Sequence, residues 1–148
     1  MENPFVLYVE DEPDDVVFMR LAFKKVGADE RLHVLDDGQK AIDYLREAAR
    51  AGRPPALILL DLNLPTVSGF DVLIWIRNQE RLRHLPVLIF SSSGRIEDRV
   101  RAKDLGADDY ALKPMSLAHF VGLAEEIVRQ WLKPKADAAP PVTPPSRS

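Results

Sequence analysis

The chain has 148 residues, 46% of them hydrophobic, which is the size of one domain with a buried core and leaves no room for a second. A formal net charge of -3 argues against a nucleic-acid partner, whose phosphates demand a basic face. Cys is absent, which removes disulfide and thiolate chemistry and suits a cytoplasmic protein, and the opening MENPFVLYVEDEP has neither the basic flank of a signal peptide nor the length of a membrane span.

The first apolar run predicts a buried strand over 5–9 that ends on Glu10 and Asp11. A helix over 14–26 follows, with Pro13 at its first turn and Gly27 at a left-handed end. Its buried side is read as Phe18, Ala22 and Val26, with Val17 nearly opposite and Val16 at the border. A strand over 31–35 and a helix over 38–50 lead to Gly52 and Pro54-Pro55, which break the chain before a strand over 56–60 that ends on Asp61. The next helix, 68–79, turns Val72, Leu73 and Ile76 inward and leaves Ile74 and Trp75 without an obvious place. Pro86 opens a strand over 86–90 that ends on Ser91. A helix over 96–105, set off by Gly94 and Gly106, precedes a strand over 109–112 that ends on Lys113. The last helix, 116–132, carries Leu117, Phe120, Val121, Ala124, Ile127, Val128 and Trp131 as one apolar face.

Alternating strands and helices of this kind predict an α/β fold: a flavodoxin-like (βα)5 doubly wound sheet of five parallel strands in the order 2-1-3-4-5. The switch point lies beside strands 1 and 3, which places the site at Glu10, Asp11 and Asp61. From Lys133 onward the chain reads KPKADAAPPVTPPSRS, with 5 of the 12 prolines and almost no large apolar residue. Such a segment cannot bury enough surface to fold alone, so the expected organisation is a domain over 1–132 and a disordered or extended tail over 133–148.

Parallel strands bring their carboxyl ends to one edge of a sheet, so Glu10, Asp11, Asp61, Ser91 and Lys113 should converge. Asp61, on the tip of an apolar strand, is suited to act as a nucleophile, while Glu10 and Asp11 are suited to hold a divalent cation. Ser91 and Lys113 can neutralise a phosphoryl group from the other side. Each residue alone has an ordinary explanation. A strand-end Asp can cap a loop, SSSG can be a turn, and EDEPDD can be an acidic helix start, the reading given to Glu12, Asp14 and Asp15. The intervals decide the matter: Asp61 to Ser91 is 30 residues and Asp61 to Lys113 is 52.

With Lys113-Pro114 closing the last strand and paired acids closing the first, the chain from about Phe5 to Trp131 resembles the receiver domain of bacterial two-component response regulators. In VEDEPDD, LLDLNLPTVSGF and DDYALKP it is most similar to stand-alone receivers that pair with phytochrome-type histidine kinases. The resemblance implies phosphorylation of Asp61 by a sensor histidine kinase, with Mg²⁺ held directly by Asp11 and Asp61, through water by Glu10, and by the main-chain carbonyl of Asn63. It implies that Ser91 and Tyr110 form the switch, that the Lys113-Pro114 bond is cis, and that Val16, Val17 and Pro114 belong to the kinase-docking surface. A receiver without an output domain must act on another protein. A homodimer through strand 5 and helix 5 is therefore expected, with Ile127, Val128, Trp131 and Leu132 at the interface, beside an unknown downstream partner. The rivals are a relay intermediate that passes the phosphate on, a pseudo-receiver that never takes it, and a haloacid-dehalogenase-type phosphatase. The phosphatase needs a second Asp where this chain has Asn63, and the complete acid, Ser and Lys set counts against the pseudo-receiver.

Overall fold

A computed structural model describes residues 3–132; the expected tail over 133–148 lies outside the described residues. The strands are β1 (Val6–Val9), β2 (Leu32–Leu35), β3 (Leu57–Leu60), β4 (Val87–Ser91) and β5 (Asp109–Leu112). The helices are α1 (Pro13–Lys25), α2 (Gly38–Ala51), α3 (Gly69–Arg77), α4 (Ile96–Asp104) and α5 (Leu117–Trp131). All strand pairs are parallel and the order is β2-β1-β3-β4-β5, as the alternation predicts. The second strand starts one residue late because Asp29–Arg31 closes a 3-10 turn first.

A sheet covered on both faces needs strands that are apolar throughout, and β1 and β3 are buried along their whole length. Leu7, Val9, Ile58, Leu60, Val87 and Ile89 meet the buried faces of α2, α3 and α4. Val6, Tyr8, Leu57, Leu59 and Phe90 meet α1 and α5 on the other side. Helix ends are capped by short polar side chains: Asp37 accepts from the N–H groups of Gln39 and Lys40, Ser68 from that of Asp71, and Ser116 from that of His119. Pro13 occupies the first turn of α1, and Gly27 just past it has φ +76°.

Two details correct the sequence reading. The buried residues of α1 are Met19, Ala22 and Phe23, whereas Phe18 is exposed at the seam with α5, its ring 5.5 Å from that of Phe120. A series spaced by four drifts about 40° per step around a helix, so Phe18, Ala22 and Val26 cannot share the centre of one face. Next, no peptide bond among the described residues is cis, Lys113-Pro114 included. The apolar face expected for the last helix does pack on the sheet: Ile127 and Leu132 are buried, and Val128 and Trp131 are half-buried against the same core. In α3, Val72, Leu73 and Ile76 do point inward, and Trp75 finds its place under the Arg46 guanidinium of α2, 5.5 Å from the ring centre.

Gly69 sets where α3 begins. A Cβ there would stand 2.1 Å from the Asp61 carbonyl oxygen and 2.7 Å from the Leu62 Cα, so only glycine lets the helix start against the backbone of β3's end. Gly69→Ala should therefore destabilise the fold by about 1–3 kcal/mol, an overpacking cost that urea unfolding measures. An unchanged midpoint would mean that the loop has room to shift.

Candidate functional site

Glu10, Asp61, Ser91 and Lys113 stand at the carboxyl ends of four adjacent strands, and the ladder fixes their heights. The Glu10 N–H donates to the Leu35 carbonyl at 2.9 Å and the Asp61 N–H to the Val9 carbonyl at 3.1 Å. The Lys113 N–H donates to the Ser91 carbonyl at 2.9 Å. Glu10 and Ser91 have no exposed surface, Asp61 is almost fully buried, and Asp11 opens to solvent. One carboxylate oxygen each from Glu10, Asp11 and Asp61 lies within 4.8 Å of the others.

Lys113 reaches into this group across a trans bond to Pro114, so carboxylates and not a cis peptide hold it inward. Its Nζ lies 2.8 Å from Glu10 Oε1, 2.9 Å from Asp15 Oδ2 and 3.5 Å from Asp61 Oδ2. Asp15 is the partner that the sequence reading missed, having been grouped with the acids of the helix start. It lies with Asp14 in the first turn of α1, whose N-terminus faces the same edge as the strand ends, and nothing in the sequence sets the two apart. Tyr8 also contributes, its hydroxyl donating to Glu10 Oε1 at 3.3 Å from within β1.

The electrostatics show a pocket short of positive charge. Burial pushes the Glu10 carboxyl up to about 7 from an ordinary 4.5, while the Lys113 hydrogen bond opposes the rise and the Asp61 charge adds to it. Burial likewise raises Asp61, against the pull of Lys113. For Lys113 burial acts downward, but hydrogen bonds to Asp15 and Glu10 and the charge of Asp61 outweigh it and hold the ammonium above its ordinary range. An all-oxygen donor set with a surplus of negative charge fits a hard divalent cation such as Mg²⁺ or Mn²⁺.

The proposed switch residues are linked through the loop between β4 and α4. Ser91 Oγ accepts from the Ser93 N–H at 3.1 Å, and the Tyr110 hydroxyl donates to the Ser93 carbonyl at 2.8 Å. Ser93 Oγ in turn donates to Asp98 Oδ2 in the first turn of α4 at 2.6 Å. The Tyr110 ring is half-buried against α4, with the Arg99 guanidinium 4.7 Å from its centre. Asn63 is exposed in the loop after Asp61. That loop is strapped to α2, where Thr66 Oγ1 donates to Asp37 Oδ2 at 2.7 Å, with Thr66 held at φ +71°. Val17 is 53% exposed, and with half-buried Val16 it lines a cleft of about 560 Å³ that also includes Glu10, Asp11, Arg20 and Lys40. Pro114 is half-buried beside Lys113.

A carboxyl raised in the folded state binds its proton more tightly there than in the unfolded chain. Its contribution to stability is thus full below about 4.5 and lost as pH rises through about 7. With a chelator present, the Tm should fall between pH 5 and pH 8, about the span of the Glu10 shift, and Glu10→Gln should flatten that slope. An equal slope in the variant would place the titration elsewhere.

The response regulator receiver domain model matches residues 6–125. A curated relative, the "Probable methanogenesis regulatory protein FilR2" of Methanothrix harundinacea, is 39% identical over 133 residues, 88% of this chain and 86% of its own. Several longer curated relatives match over half their length or less. Among solved structures, the phosphorylated cyanobacterial phytochrome response regulator RcpA is 32% identical with a TM-score of 0.78, covering 88% of this chain and 94% of its own. The Mn²⁺-bound form of the response regulator Rcp1 is 30% identical with a TM-score of 0.75, covering 88% and 95%. The phosphatase alternative finds no support in these likenesses. By sequence, fold and pocket together, the chain belongs to the response regulator receiver domain family, signalling modules of two-component systems that partner with histidine kinases.

Proposed function

We propose that this chain takes a phosphoryl group onto Asp61 from the phosphohistidine of a sensor histidine kinase and signals through a changed protein-binding face. One observation carries the reading. The buried Asp61 carboxylate sits between the oxygen cluster it forms with Glu10 and Asp11 and the Lys113 ammonium, 3.5 Å away. An Asp61 oxygen attacks phosphorus, the P–N bond breaks, and the imidazole leaves with the electron pair and takes up a proton, so that an acyl phosphate remains. Bound Mg²⁺ would supply the charge that lets two anions approach, with Asp11 and Asp61 as direct ligands, Glu10 acting through water and Asn63 through its main-chain carbonyl. Lys113 and Ser91 clamp the phosphoryl oxygens, the ammonium contributing charge and the hydroxyl one neutral hydrogen bond. Movement of Ser91 toward the phosphoryl group alters the loop at Ser93 and thereby Tyr110 and α4.

Such a chain catalyses only its own phosphorylation and dephosphorylation. The kinase docks near Val16, Val17 and Pro114, and the likeness to the phytochrome response regulator RcpA supports a phytochrome-type kinase. No helix among the described residues is long and apolar enough to cross a membrane, in keeping with a cytoplasmic partner. Asp61→Asn should abolish labelling by a phosphohistidine kinase or a small phosphodonor, and chelation should do the same to the wild type. Hydroxylamine-sensitive acyl-phosphate labelling of the variant would sink the assignment.

The homodimer proposed through β5 and α5 gains exposed apolar residues from α4 beside them. Leu112 is 48% exposed on β5, and Ile96 and Val100 of α4 are 74% and 52% exposed. The proposed pair therefore forms through the β5 and α5 side, with α4 at its edge. Light scattering across a dilution series should show the dimer mass with beryllofluoride and Mg²⁺, and Ile96→Asp should return the monomer. A monomer at tens of micromolar under both conditions would defeat it.

A further inference from the structure

Asp15 has no place in the phosphotransfer chemistry above, yet it makes one of the two shortest contacts to Lys113. Its Oδ2 is 2.9 Å from Nζ, closer than that of the acceptor Asp61 at 3.5 Å. It reaches there from α1, 98 positions away in the chain, and so ties the start of that helix to the end of β5. Glu10, Asp11 and Asp61 share the oxygen cluster that can hold a cation, and Asp15 is outside it. Resting on the phosphoacceptor reading, we infer that Asp15 is a positioning residue: it is the counter-ion that keeps Lys113 in the pocket while a cation holds the other acids, and it competes with the phosphoryl group for that ammonium.

The chemistry follows from donors and charges. An ammonium has three N–H donors, and here three carboxylates face it. When a divalent cation draws on Glu10 and Asp61, both lose charge available to Lys113, and two cations are left close together. Asp15 then supplies the compensating charge. The phosphoryl group on Asp61 takes over that residue's own 3.5 Å place on Nζ, and to draw the ammonium closer it must displace Glu10 or Asp15. Glu10 has no exposed surface and is pinned by the Tyr8 hydroxyl and the Glu12 N–H, whereas the Asp15 side chain is 20% exposed on a first helical turn and can rotate outward. Asp15 is the exchangeable partner, and its hold on Lys113 sets how readily the clamp engages.

The test uses the full chain with Asp15→Ala and Asp15→Glu, and Asp61→Asn as the control. Mg²⁺ affinity is measured by calorimetry, and beryllofluoride affinity at saturating Mg²⁺ by ¹⁹F NMR. Asp15→Ala should bind Mg²⁺ about threefold to tenfold more weakly and beryllofluoride more tightly by a similar factor, the net scale of one ordinary hydrogen bond, and Asp15→Glu should restore both toward wild type. A purely structural role would weaken both together. If Asp15→Ala binds beryllofluoride no more tightly than a normally binding wild type, with backbone NMR showing an intact fold, the Asp15 assignment is overturned alone. If the wild type itself takes no beryllofluoride, the phosphoacceptor reading falls, and this inference with it.

Discussion

Three carboxylates crowd one ammonium at the carboxyl edge of the sheet, and the site depends on that imbalance. Burial raises the carboxyls of both Glu10 and Asp61, and the Lys113 ammonium only partly opposes the rise. Such a pocket gains from any added cation, and it can place an anion only if a cation stays fixed within it. Lys113 meets the second requirement because its stem is buried, with only 11% of the side chain exposed, and its backbone is laddered to Ser91.

The rest of the fold keeps this edge in register. Parallel pairing sets Val9 beside Leu60 and Leu60 beside Ile89, so the residues that follow each strand arrive at nearly the same level. The two core layers hold the strands from both faces, and close contact at Gly69 brings α3 against the backbone of Asp61 and Leu62. On the far side of Asp61, the strap between Thr66 and Asp37 joins the loop to the cap of α2. The loop that carries Asn63 is thus tied at both ends.

The route outward is equally physical. Ser93 touches Ser91 through its N–H, Tyr110 through its carbonyl and Asp98 through its hydroxyl. A small movement at Ser91 therefore acts on β5 and on α4 at once, because all three bonds belong to one residue. The exposed apolar residues Ile96 and Val100 lie on the helix whose first turn Ser93 bonds.

How much of this was legible in the sequence depends on the range of the interaction concerned. Strand-length apolar runs, Pro and Gly breaks and the polar residue after each run report local preferences, and by themselves they determined the sheet order and the meeting of Glu10, Asp11, Asp61, Ser91 and Lys113. The buried face of α1 was misplaced because that helix packs against both the sheet and α5, so its orientation is set by Phe120 and its neighbours and not by its own periodicity. Only the tertiary structure could assign Asp15. Its carboxylate lies 98 positions from Lys113, and nothing local distinguishes it from Glu12 or Asp14 until the first turn of α1 is set against the end of β5.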